Sequence, residues 1–229
     1  MSQGETPAGE APAGEAPAGE APAGEAPAGD APAGEAPAGE AGSRIRGVRY
    51  GRLNRLADSR GSFVEIWRAS LLGQLSEEAA GLSGARFVQA NLSTSAPDVL
   101  RGLHYHRRQL DYWTVVSGRA LVALVDVRPV LDDPAARAVI EMRELGAAET
   151  VTIPTGVAHG FLALESLQLL YLVTNEYDGS DELGFAWDDP AVGVPWPKIG
   201  GTPDGRPILS DRDRSNPTLL ALVGSLRAR

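Results

Sequence analysis

Residues 43–229 predict an all-β fold, a sandwich or jelly-roll barrel with a few peripheral helices. Short stretches in which apolar and polar residues alternate recur along the chain, the period-2 pattern of half-buried strands. Gly and Pro fall between these stretches, where turns are needed. Only two segments read as helices. Many short strands joined by turns suit a β-sandwich or barrel, whose mouth can gather inward-facing polar groups around a small ligand.

Phe63-Val64-Glu65-Ile66-Trp67 alternates as a strand does. Leu71–Ala80 reads as a helix. Phe87–Leu92 alternates again and places Gln89 and Asn91 on one face. Tyr112–Val116, a turn at Ser117-Gly118 and Ala120–Val127 read together as a β-hairpin. Val151–Ile153, Gly160–Leu164 and Leu167–Thr174 continue the strand pattern. Pro217–Leu226 reads as a helix with Pro in its first turn, where a missing N–H is tolerated.

Residues 1–42 are a separate segment. Pro-Ala-Gly-Glu recurs every five residues, seven times, ending at Glu40, with Asp30 once replacing Glu. The repeats hold no aromatic or β-branched residue to bury, so nothing offsets the entropy of ordering, and disorder is expected. The tail carries eight of the 30 acidic residues and no Lys or Arg. That leaves 22 acidic against 21 basic residues in 43–229, so the folded part is nearly neutral. It has no basic excess for nucleic acid. With no Cys, disulfide and thiol chemistry are excluded. No apolar run approaches the ~18 residues of a membrane span. The N-terminus lacks the basic-then-apolar pattern of a signal peptide, and a cytoplasmic protein is expected.

All three histidines stand in strand-like, Gly-punctuated segments. His104 and His106 lie in Arg101-Gly102-Leu103-His104-Tyr105-His106, with Asp111 and Gly118 following. His159 lies in Pro154-Thr155-Gly156-Val157-Ala158-His159-Gly160-Phe161. The i, i+2 spacing puts His104 and His106 on one face of a regular strand. One shared site inside the barrel is the simplest reading.

Six motifs in order, from Asp58 to Asp213, within a similarity that runs to about Leu220, resemble those of the dTDP-4-dehydrorhamnose 3,5-epimerase family of the cupin superfamily. Asp58-Ser59-Arg60-Gly61-Ser62-Phe63-Val64-Glu65 is similar to D-x-R-G-x-F-x-E, and Phe87-Val88-Gln89-Ala90-Asn91 to F-V-Q-x-N. Leu100–Tyr105 is similar to L-R-G-L-H-[FY], and Ile153–Phe161 to I-P-x-G-[FV]-A-H-G-F. Trp187–Pro197 is similar to W-D-D-P-x-[LI]-G-I-x-W-P, and Leu209–Asp213 to L-S-x-[KR]-D. The resemblance implies a homodimeric jelly roll that inverts C3, C5 or both of a dTDP-4-keto-6-deoxyhexose, with no cofactor. It implies His104 as the base, Asp213 as its partner and Tyr171 as the acid on the opposite ring face. Arg60, Glu65, Gln89, Asn91, Arg101 and His159 are implied as contacts to the sugar and diphosphate; the planar fork of Arg suits a diphosphate.

Two positions depart from the family. Where it usually carries a Lys seven residues ahead of the turn Gly, this chain has Asp111, which reverses the charge. Where it commonly carries Gln two past the base, this chain has His106. His104, His106, Asp111 and His159 thereby reproduce the spacing of the metal-binding cupin pattern. Three imidazoles and a carboxylate suit one divalent transition metal. This gives an alternative, a metal-dependent cupin that oxidises its substrate or isomerises a keto sugar. A sugar-binding cupin without catalysis is the other. A plainer role for Asp111 is an ion pair with Arg107 or Arg108.

Overall fold

The computed structural model describes residues 42–68, 86–177 and 179–228. The disorder expected of the tail and the helix expected over Leu71–Ala80 fall outside them. Two five-stranded antiparallel sheets face each other. The first runs in the order β1 (Arg49–Arg52), β9 (Glu149–Ile153), β6 (Asp111–Ser117), β11 (Leu167–Val173), β4 (Gln89–Ser95). The second runs β12 (Leu183–Gly184), β5 (Leu100–Tyr105), β10 (Val157–Ala163), β7 (Arg119–Asp126), β8 (Val139–Gly146). A short hairpin, β2 (Arg55–Asp58) with β3 (Gly61–Val64), pairs with neither sheet.

Alternation explains the layers. Trp113 and Val115 of β6, Val151 and Ile153 of β9, and Leu167 and Leu169 of β11 point inward from the first sheet. Ala120, Val122 and Leu124 of β7 meet them from the second, with Phe161 and Ala163 of β10. The opposite face of the second sheet is also buried. Ala123 and Val125 of β7, with Leu103 and Tyr105 of β5, lie beneath the C-terminal helix α3 (Leu219–Arg227). A short helix, α1 (Arg128–Asp132), adds Val130 to this outer cluster. Burial of Leu219, Leu222 and Val223 of α3 contributes about 1.5–3 kcal/mol per side chain. The all-β expectation holds.

Two local expectations need correction. The strands on either side of Ser117-Gly118 do not form a hairpin, because β6 belongs to the first sheet and β7 to the second. The turn is a corner between layers: Trp113 and Val115 before it, and Ala120 and Val122 after it, reach one core from opposite sides. Gly118 has φ +82°, and a Cβ there would lie 2.2 Å from the Ser166 carbonyl oxygen. Pro217 stands outside the last helix rather than in its first turn. Thr218 is the N-cap, its side chain accepting from the Ala221 N–H. A third helix, α2 (Asp211–Ser215), is short and capped by Ser210, which accepts from the Asp213 N–H at 3.0 Å.

Candidate active site

The site is built around β5 and β10. Leu103 and Tyr105 turn outward beneath α3, so His104 between them turns into the barrel. His159 stands in register opposite His104. The glycines of the two histidine motifs make this pairing possible. Gly102 has φ +123°, and a Cβ on it would lie 2.7 Å from the Cα of Gly160. A Cβ on Gly160 would lie 2.7 Å from the Arg101 carbonyl oxygen. Only bare backbone allows the two strands to approach so closely there.

His104 Nε2 is 2.8 Å from Asp213 Oδ1. The other carboxylate oxygen, Oδ2, accepts from the Ser210 hydroxyl at 2.9 Å. Asp213 is buried, and burial alone pushes its carboxyl upward. The hydrogen bond and charge of His104, the Ser210 hydroxyl and the Arg212 charge outweigh that and hold it below the usual carboxylate range. An anion fixed on one ring nitrogen orients the imidazole and holds it in place inside the barrel.

The four expected metal-binding residues divide. His106, Asp111 and His159 are all buried and offer one ligand atom each, all within 4.8 Å of one another. His104 is not one of the three; its Nε2 is taken by Asp213. His106 Nδ1 lies 2.8 Å from the Asp181 carbonyl oxygen, and His159 Nδ1 3.2 Å from that of Val157. Burial pulls His159 down to about 4, against a partial upward pull from Asp111, so it is neutral at pH 7. The ion pair expected between Asp111 and Arg107 or Arg108 does not form. Asp181 draws both guanidinium groups instead, Arg107 at 3.1 Å and Arg108 at 4.0 Å. The reason is proximity: the Asp181 carboxylate also accepts both arginines' backbone N–H groups.

On the facing wall, Tyr171 of β11 packs against the inner core and is in register with Trp113 on one side and Asn91 on the other. Burial, then the charges of Asp111 and Glu182, raise its phenol, while Arg101 lowers it in part. It is a proton donor at neutral pH. Gln89 donates to Asn91 Oδ1 at 2.9 Å and accepts from the Tyr177 N–H at 2.9 Å. Arg101 bridges the two sheets, donating to Ser95 Oγ at 3.1 Å and to the Thr94 carbonyl at 3.2 Å.

Arg60 and Glu65 are not brought to this cluster. Arg60 lies on the exposed β2–β3 hairpin and pairs with Asp58 at 2.6 Å; Glu65, just past it, pairs with Arg68. Three further residues support the site. Ser210 carries the Ser-x-x-Asp signature of a helix cap and could have been found by it. The Trp113 indole N–H donates to Asp111 Oδ2 at 3.0 Å, and its ring meets His159 edge-on at 5.1 Å. Asp181, 75 residues from His106, gave no local signal.

Residues 43–221 match the family model described as dTDP-4-dehydrorhamnose 3,5-epimerase. A dTDP-4-dehydrorhamnose 3,5-epimerase from Sinorhizobium fredii is 30% identical over 188 residues, covering 80% of this chain and 90% of the relative. The spore coat polysaccharide biosynthesis protein SpsL of Bacillus subtilis is 34% identical over 160 residues, covering 66% of this chain and 96% of SpsL. Among solved structures, the 3'-monoepimerase ChmJ of Streptomyces bikiniensis, in complex with dTDP-quinovose, superposes with a TM-score of 0.66 at 29% identity. That match covers 81% of this chain and 89% of ChmJ.

Proposed function

The chain belongs to the dTDP-4-dehydrorhamnose 3,5-epimerase family, and from that premise we propose how its residues divide the work. The reaction is epimerisation of a dTDP-4-keto-6-deoxyhexose at carbon next to the ketone. Inversion needs a base on one face of the sugar ring, an acid on the other and relief of the enolate charge.

His104 takes the proton. Asp213, fixed by Ser210, orients the imidazole and stabilises it once charged. Tyr171 returns a proton from the opposite wall. The two lie on facing sheets, β5 and β11, so a keto sugar held between them loses its α-proton to one side and the flat enolate that results is reprotonated from the other. Arg101 at the mouth takes the diphosphate; Gln89 and Asn91 contact the sugar, and His159 lies beneath it. The observation that carries this reading is the 2.8 Å His104–Asp213 pair inside the barrel.

The reading includes a homodimer. The β2–β3 hairpin presents Leu56 and Phe63, 56% and 66% exposed, beside Arg60. A second copy would cover these apolar side chains and bring Arg60 and Glu65 to its own site. Residues 43–229 form the catalytic unit, and 1–42 an appendage. Among the described residues no helix is long and apolar enough to cross a membrane. From the nucleotide-sugar substrate of its family we place the protein in the cytoplasm.

The test is proton exchange in deuterated water, followed by NMR on dTDP-4-keto-6-deoxyglucose. The wild type should incorporate deuterium next to the ketone, and His104→Asn should lose at least a hundredfold in rate. Exchange at the wild-type rate in that variant overturns the assignment.

A further inference from the structure

We propose that His106, Asp111 and His159 form a binding site for one first-row divalent transition-metal ion, distinct from the His104–Asp213 pair. The proposal goes beyond the epimerase reading and rests on the three side chains alone.

A carbonyl oxygen can only accept a hydrogen bond. His106 Nδ1 faces the Asp181 carbonyl and His159 Nδ1 faces that of Val157, so each ring carries its proton on Nδ1. In the neutral ring this tautomer leaves the lone pair on Nε2. Backbone carbonyls that fix the tautomer in this way are the usual second partners of metal-ligating histidines. The carboxylate is held as firmly: Gln109 Nε2 donates to Asp111 Oδ1 at 2.8 Å, and the Trp113 indole to Oδ2 at 3.0 Å.

The three ligand atoms lie within 4.8 Å of one another, and the one edge between His159 and Asp111 fits an ion better than a direct contact. His159 Nε2 and Asp111 Oδ2 are 3.7 Å apart, too far for a hydrogen bond. Donors about 2.1 Å from a tetrahedral ion lie roughly 3.4 Å from one another. Closing that edge takes a few tenths of an ångström.

The charge argues the same way. Asp111 is 3% exposed. The donors that hold its oxygens, an amide and an indole, are neutral. The arginines nearest in sequence are drawn to Asp181. A buried carboxylate in neutral company is costly, and a divalent cation balances it. Two imidazole nitrogens and one carboxylate oxygen favour Zn, Fe, Co, Ni or Mn over Mg or Ca. Three protein ligands leave coordination positions open for water or a substrate oxygen.

The experiment uses the full chain without a polyhistidine tag, stripped with a chelator and titrated with Co²⁺ and Zn²⁺. The heat of binding, the cobalt visible spectrum and the melting temperature are followed. One ion per chain, micromolar or tighter, with nitrogen-ligated cobalt bands and a raised melting temperature, is the expected result. His106→Gln and Asp111→Asn should each weaken binding at least a hundredfold. No saturable binding by the stripped wild type overturns the proposal. So does binding unchanged in both variants, which would place the ion elsewhere, for instance on the acidic repeats. Neither result touches the epimerase reading, since deuterium exchange is measured separately.

Discussion

Replacing Asp213 by Asn tests whether the carboxylate drives proton removal or merely fills space. The substitution keeps the shape and leaves an amide oxygen able to accept from His104, but it removes the negative charge. The pair is 2.8 Å apart, with side-chain exposure of 25% for His104 and 5% for Asp213. Coulomb's law at an effective dielectric of ~20 gives roughly 6 kcal/mol for opposite charges at that distance. Solvent reaches a quarter of the imidazole, so the smaller figure for a charge-assisted hydrogen bond, about 1.5–3 kcal/mol, is the better guide. At about 1.4 kcal/mol per tenfold, deuterium exchange into the keto sugar should slow about 10- to 140-fold. Substrate binding, read by titration with dTDP, should change little. Circular dichroism and a melting curve establish that the variant is folded. A folded Asp213→Asn protein that exchanges at the wild-type rate would refute the role given to the carboxylate.

Three more outcomes follow from the same geometry. Tyr171→Phe keeps the base and loses the opposing acid, so deuterium should still enter next to the ketone while inversion, read from proton couplings in the product, falls at least tenfold. Asp213 also makes stability depend on pH. Its folded-state carboxyl is held below its ordinary value, so its contribution is present above that value and is lost as pH falls through the lower, folded one. Urea melts between pH 5 and 2 should show a drop that is smaller in Asp213→Asn. Gly102→Ala forces a Cβ to within 2.7 Å of Gly160 Cα at φ +123°, and calorimetry should find a loss of at least about 2 kcal/mol.

The sequence by itself determined the all-β class, the core strands from β6 to β11 with the exception of β8, and the order of six motifs that carry the family. Those are local properties: alternation is written in neighbouring residues, and a motif keeps its spacing wherever it lies. It also marked His106 and Asp111 as unusual, because each breaks a motif at a fixed position. The tertiary structure decided which groups meet. Ser117-Gly118 reads as a hairpin turn because its flanks alternate, yet the flanks lie in different sheets; the choice belongs to the core they share. Asp213 reaches His104 across 109 residues, and Asp181 captures the arginines that sequence proximity offered to Asp111. Four histidine and carboxylate positions that look equivalent by spacing separate into His104, paired with Asp213, and a buried trio of two carbonyl-bonded imidazoles and one carboxylate. That division depends on the hydrogen-bond partner of each ring nitrogen, a contact between distant strands and loops that no one-dimensional pattern records.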